Sequence, residues 1–314
     1  MSTFAYILRR LGVLVLTLLV ASFVIYGAVY LSPGTPLAAF SGGRSLPPAA
    51  VKALSERFHL NDPFLLQYWH WLTGALHGDL GYSIVHQQSV SSLIRSELPI
   101  TIELIAFAAV LTVVFGIFIG TIGALRSGPI DDAVLGLTAG SAAMPAFVAA
   151  FVLITVFAVN LGWFPAEGDG SGFADRIHHL TLPALSLSVT AFALVARVAR
   201  TSQREQLSRE HVQTAVSRGV PYWAIVRRHV FRNAAIPIVT TIGVVFATLI
   251  ALDPVVEDAF NVSGIGSTLV QDALQKDLPT VQGVCLLLVS AFVVMNMLVD
   301  VSYRFLDPRL RGKT

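Results

Sequence analysis

Asp253 and Glu257 stand one helical turn apart at the end of an apolar stretch, and Glu103 and Asp300 lie beside two others. A charge at the centre of a bilayer costs about 2.5–3.5 kcal/mol on insertion scales, so intramembrane carboxylates mark pathways or ion sites by default. By residue count all four fall near span ends, where water and headgroups lower that cost. Glu103 and Asp300 read as anchors; Asp253 and Glu257 read as proton, cation or pathway candidates. Other chemistry is scarce. His178-His179 lacks a His-Glu-x-x-His pattern, no serine stands in a nucleophile turn, and Cys285 is the single cysteine. Gly312-Lys313-Thr314 is no phosphate loop, because Asp307 stands where the first glycine is needed and no helix follows. The residues thus predict no nucleotide, metal or other cofactor bound by this chain.

Composition sets the elements that must position these groups. Of 314 residues, 54% are hydrophobic and 13% charged, about half the charge of a soluble domain. Mean hydropathy is +0.71. A soluble chain so composed would expose large apolar patches. Disorder, a nucleic-acid-binding tail and an ordinary soluble enzyme are excluded, and the bilayer is the expected solvent.

A helical span needs about 20 mostly apolar residues. Charge-free runs occur at 11–31, 104–125, 133–166, 233–252 and 278–299, with a shorter one at 180–196 that Arg197 and Arg200 can extend by snorkelling. The run 133–166 is too short for two spans and a turn, so it predicts one long helix with a loop from Leu161-Gly162-Trp163. Six spans result. Arg9 and Arg10, Arg126, the arginines from 197 to 232 and the basic residues from 304 to 313 fall on one side of that topology. Excess Lys and Arg mark the cytoplasmic side, which places both termini inside. Small residues in 116–123 and 136–143 suit close helix contacts. Pro145, Pro183 and Pro237 interrupt the hydrogen-bond ladder of a span, and Met144-Pro145 with Phe147 marks a bend beside a central path.

The outer segment 32–98 carries Leu46-Pro47-Pro48, then a helix-like stretch with Val51, Leu54 and Phe58 on one face. Asn61-Asp62-Pro63 starts another helix, capped by a side chain. Its Phe64, Leu65, Tyr68, Trp69, Leu72 and Leu76 recur at helical spacing and predict a helix on the outer membrane surface, or a platform for an outside partner.

The basic stretch 203–232 reads as two short helices around a break. The first carries Leu207, Val212, Ala215 and Val216 and stops at Gly219; the second starts after Pro221 and covers 222–230. A loop that only fixes topology and touches anionic lipid explains the arginines. It does not explain small residues in the bend, which let a partner approach the backbone.

Thr214-Ala215-Val216-Ser217-Arg218-Gly219-Val220, followed by Arg228-His229-Val230-Phe231-Arg232-Asn233-Ala234-Ala235-Ile236-Pro237, resembles the EAA-type loop of ABC importer permeases. In particular it resembles the B-type permease subunit of dipeptide and oligopeptide importers. Tyr6-Ile7-Leu8-Arg9-Arg10, Gly78-Asp79-Leu80-Gly81-Tyr82-Ser83, Leu182-Pro183-Ala184-Leu185 and Asn296-Met297-Leu298-Val299-Asp300 are similar to family stretches in the same order. Glu210-His211 stands for the usual acidic-aromatic pair, Ser263 for a usual proline, and Asp253-Pro254 for small or apolar residues.

The resemblance implies an all-α membrane protein of six transmembrane helices with the type I ABC importer (MetI-like) permease fold. It implies a first helix and outer segment at 1–97, a five-helix core at 98–307 and a cytoplasmic tail at 308–314. Glu210, Thr214, Ala215, Ser217, Arg218, Gly219, Arg228, Arg232 and Asn233 would form the ATPase-docking loop. Two cytoplasmic ATPase subunits would supply ATP and Mg chemistry and rock the permease between inward-open and outward-open forms. A second homologous permease subunit in a heterodimer, an extracytoplasmic substrate-binding protein and membrane lipid complete the expected partners, with no nucleic acid. The expected location is the bacterial inner membrane. Met144, Pro145, Phe147, Asp253 and Glu257 would line the path, the two acids attracting a peptide ammonium group. The rival reading is an ion-coupled secondary transporter using Asp253 and Glu257.

Overall fold

A computed structural model describes residues 3–31, 62–83 and 85–306. The expectations for 46–58, Asn61 and the tail 308–314 lie outside the described residues. The chain runs α1 (Thr3–Tyr30), α2 (Phe64–Leu76), a short hairpin β1 (Tyr82–Ser83) and β2 (Gln88–Ser89), then α3 (Val90–Leu125), α4 (Pro129–Ala143) and α5 (Ala146–Leu153). A π-helix, Ile154–Asn160, extends α5. There follow α6 (Phe173–Leu207), α7 (Glu210–Ser217), α8 (Tyr222–Ile225), a second π-helix (Val226–Phe231), α9 (Arg232–Ala259), α10 (Ile265–Gln275) and α11 (Leu278–Leu306).

Among the described residues five helices are long and apolar enough to cross a membrane, and the bent pair α4–α5, counted as one span, brings the number to six. The run 133–166 is therefore not one long helix. It turns by 103° between Ala143 and Ala146, because Pro145 lacks the N–H that would continue the ladder. Pro183 and Pro237, by contrast, sit inside unbroken α6 and α9, as do Pro99 in α3 and Pro254 in α9.

The core forms where α3 meets α6, with Leu104, Leu187, Leu249 and Phe260 fully enclosed. Gly120 allows the close approach: a Cβ there would lie 2.5 Å from the Ala196 carbonyl oxygen. Gly116 and Gly123 serve similarly. Gly136 and Gly140 do not, since a Cβ on either meets nothing within 4 Å; these two lie on the outer face of α4, while Thr138 and Ser141 on its other face are buried.

Helix α2 lies along the end of α1. Phe64 packs on Tyr30 with ring centroids 4.8 Å apart, and Tyr68 reaches Ser22 at 2.9 Å. Pro63 occupies the cap position and no side chain caps α2. The hairpin is moored to the α10–α11 turn: Ser83 donates to Asp277, and His86 Nε2 meets Asp272 Oδ1 at 2.9 Å. Burial pushes the Asp272 carboxyl above its usual range, with the bond to His86 acting against that rise.

Candidate functional site

Three groups of predicted residues occupy separate places. The first is the elbow between α6 and α9. Two residues, Ser208 and Arg209, separate α6 from α7, and α7 stops in a hydrogen-bonded motif that Gly219 permits. With φ at +73°, Gly219 donates to the Val216 carbonyl at 2.9 Å, and Val220 N–H returns to the Ala215 carbonyl at 3.1 Å. This pair of bonds is the Schellman closure of a helix end. Val212, Ala215, Ile225 and Val230 form a small buried core beneath α7, with Leu207 and Val220 at its edge.

That core separates two kinds of loop residue. Ala215 is buried and supports the elbow, whereas Glu210, Thr214, Ser217, Arg218, Gly219, Arg228, Arg232 and Asn233 are exposed. Val216, read from the sequence with the apolar set, is 59% exposed; in the last turn of α7 it stands about 100° round the helix from the buried Ala215, at the edge of the covered face. Tyr222 and Trp223 are also exposed beside it. Leu207 belongs to the end of α6. The expected second helix does not end at 230; it continues through the π-helix into α9 as one run from Tyr222 to Ala259.

The second group is the bend. Met144 is half-buried, while Pro145 and Phe147 are exposed. Two hydroxyls of α6 satisfy backbone carbonyls at the break: Thr190 donates to Met144 at 3.0 Å and Ser186 to Ala146 at 2.8 Å. A bend in hydrocarbon is tolerated when a neighbouring helix supplies such partners.

The acids form the third group. Water at a span end was expected to ease their burial; instead Asp253 and Glu257 are both 0% exposed. Helices α3 and α10 cover this end of α9. Glu257 accepts from Thr101 Oγ1 at 2.6 Å, from Gly266 N–H at 2.7 Å and from Ser267 N–H at 3.0 Å. It thereby caps the N-terminus of α10, where backbone N–H groups favour negative charge. A Cβ at Gly264 would fall 2.0 Å from Glu257 Oε1, so the Gly264-Ile265-Gly266 sequence makes room for this carboxylate. Neither oxygen of Asp253 meets a donor among the described residues. Both side chains are enclosed rather than presented to an open path. Glu103 pairs with Arg176 at 3.2 Å and Asp300 with Arg10 at 2.6 Å, each in a partly exposed ion pair.

One buried charge cluster was not found from the sequence. Asp131, at the start of α4, takes a two-pronged contact from Arg200 at 2.6 and 2.7 Å and a second arginine, Arg204, at 2.8 Å. The available signal was the spacing of Arg197, Arg200 and Arg204 on one face of a helix, opposite Asp131-Asp132 in the facing turn.

Residues 92–312 match the family described as "Binding-protein-dependent transport system inner membrane component", and residues 3–105 match its N-terminal companion family. Over 98% of its length the chain is 35% identical to a probable peptide ABC transporter permease protein of Sinorhizobium fredii, covering 99% of that protein. It is likewise 34% identical to the glutathione transport system permease protein GsiC of Escherichia coli, over 98% of this chain and 99% of that one. Among solved structures, an inward-facing MetNI methionine ABC transporter chain superposes with a TM-score of 0.54 at 16% identity, covering 68% of this chain and 96% of that chain. An amino acid ABC transporter chain gives 0.53 at 16% identity, with 68% and 94% covered. These two likenesses concern the fold.

Proposed function

Since the chain belongs to the binding-protein-dependent transport system inner membrane components, we propose that its α6–α9 elbow is the surface on which partner ATPases drive transport. The chain is a non-catalytic, multi-pass inner-membrane permease subunit of a peptide-class ABC importer. The ion-coupled alternative is set aside by the same match. ATP and Mg belong to two cytoplasmic ATPase subunits that dock on the exposed face of α7, through Glu210, Thr214, Ser217, Arg218 and Gly219, with Arg228, Arg232 and Asn233 beside it. Ala215 holds that face from below. The elbow and both termini lie in the cytoplasm.

A second homologous permease subunit, as a heterodimer, supplies the other half of the path, and an external binding protein delivers the peptide. Met144, Pro145 and Phe147 border that path at the bend. Asp253 and Glu257 support its outer end, Glu257 by holding α10 in place.

The observation that carries this reading is the exposure of Val216, Tyr222 and Trp223 on an elbow that has its own buried core. Such a unit is rigid enough to be pushed and apolar enough to be covered. Purification in mild detergent with mass spectrometry of co-purifying chains tests it. Recovery of two ATPase subunits that are lost with Trp223→Asp supports docking here; retention in that variant removes the elbow from the interface.

A further inference from the structure

We propose that α6 is the lever that carries motion from the elbow to the bend, and that Arg197, Arg200, Arg204, Thr190 and Ser186 are the positioning residues that fasten α4–α5 to it. This rests on the permease reading above and adds the route of transmission. α6 is 35 residues long, about 52 Å at ~1.5 Å per residue. One end joins α7 through Ser208 and Arg209, and the other half passes the bend.

The fastenings run in register. Arg200 and Arg204 hold the Asp131 carboxylate, Arg197 donates to the Thr138 carbonyl at 3.2 Å, Thr190 to Met144 at 3.0 Å and Ser186 to Ala146 at 2.8 Å. As the α6 number falls from 204 to 186, its partner's rises from 131 to 146, so the two elements are laced antiparallel along their length. Arg204 also reaches the Arg126 carbonyl at 3.0 Å, binding the turn before α4 to the same helix. The Arg200–Asp131 pair is well shielded, with side chains 16% and 10% exposed. A forked guanidinium–carboxylate contact fixes angle as well as distance. Displacing α7 must therefore displace Met144 and Pro145 with it, and solvent-exposed single contacts would not impose that.

The test uses the permease co-purified with its ATPase subunits and binding protein in proteoliposomes, with labelled dialanine as the transport probe. ATP hydrolysis and uptake are measured together. In Asp131→Asn the ATPases remain bound and hydrolysis continues, while dipeptide moved per ATP falls roughly three- to thirty-fold. Asp131→Glu, which keeps the carboxylate, recovers most of the ratio. Thr190→Val, a milder change at the bend, lowers the ratio in the same direction. Proportional loss of uptake and hydrolysis, or a wild-type ratio in both Asp131→Asn and Thr190→Val, overturns the lever. The unmutated complex with and without its ATPases reports separately on the permease reading.

Discussion

The Thr101 hydroxyl donates to Glu257 at 2.6 Å and accepts from the Ile265 N–H at 3.0 Å. One side chain of α3 thus ties the end of α9 to the start of α10. The group is wholly enclosed, so its loss leaves a buried carboxylate and a buried amide each short of a partner. Thr101→Val is expected to cost about 1–3 kcal/mol, read as a lower melting temperature in detergent. Thr101→Ser, which keeps the hydroxyl, is expected to melt close to the unmutated protein.

Two glycines respond differently to alanine. At Gly264 the added carbon collides with the Glu257 carboxylate, and Gly264→Ala is expected to release α10 from its cap. At Gly219 nothing lies within 4 Å; the cost comes from φ at +73°, about 1–2 kcal/mol for an L residue. Hydrogen exchange separates them. Gly264→Ala loosens α10 amides, and Gly219→Ala loosens only those of α7 and its closure.

The contact of α3 with α6 depends on Gly120. Replacing it by alanine forces a carbon against the Ala196 carbonyl at 2.5 Å, and overpacking of this kind costs about 1–3 kcal/mol. A melting series of Gly120→Ala against Gly140→Ala, whose site is open, is expected to show a loss only in the first.

Trp223 is 72% exposed, so Trp223→Ala is expected to change stability by no more than about 0.5 kcal/mol. Co-purification of ATPase subunits is expected to fall in the same variant. Unchanged melting together with lost association is the signature of a docking residue.

The long elements were legible because hydrocarbon imposes a simple rule: apolar runs of sufficient length, with arginine gathered on one side. Gly219 was legible as a helix stop, since few residues adopt its conformation. The apolar run 133–166 was legible in length but not in shape, because a proline permits either a kink or a break. Pro183 stays inside a helix while Pro145 breaks one, with the hydroxyls of Ser186 and Thr190 waiting on the next helix. The enclosure of the two acids was illegible for a similar reason. Position along a span says how far Glu257 is from the membrane surface, but not that α10 folds back over it. Val216 shows the limit of periodicity in an eight-residue helix, where one residue's rotation decides between core and surface.

The central claim is that this chain moves solute only when other subunits hydrolyse ATP against its elbow. Labelled dialanine uptake into proteoliposomes, with and without the ATPase subunits and binding protein, tests it most directly. The account predicts ATP-dependent accumulation in the full complex and none with the chain alone. Accumulation by the chain alone, without any ATPase, would contradict it.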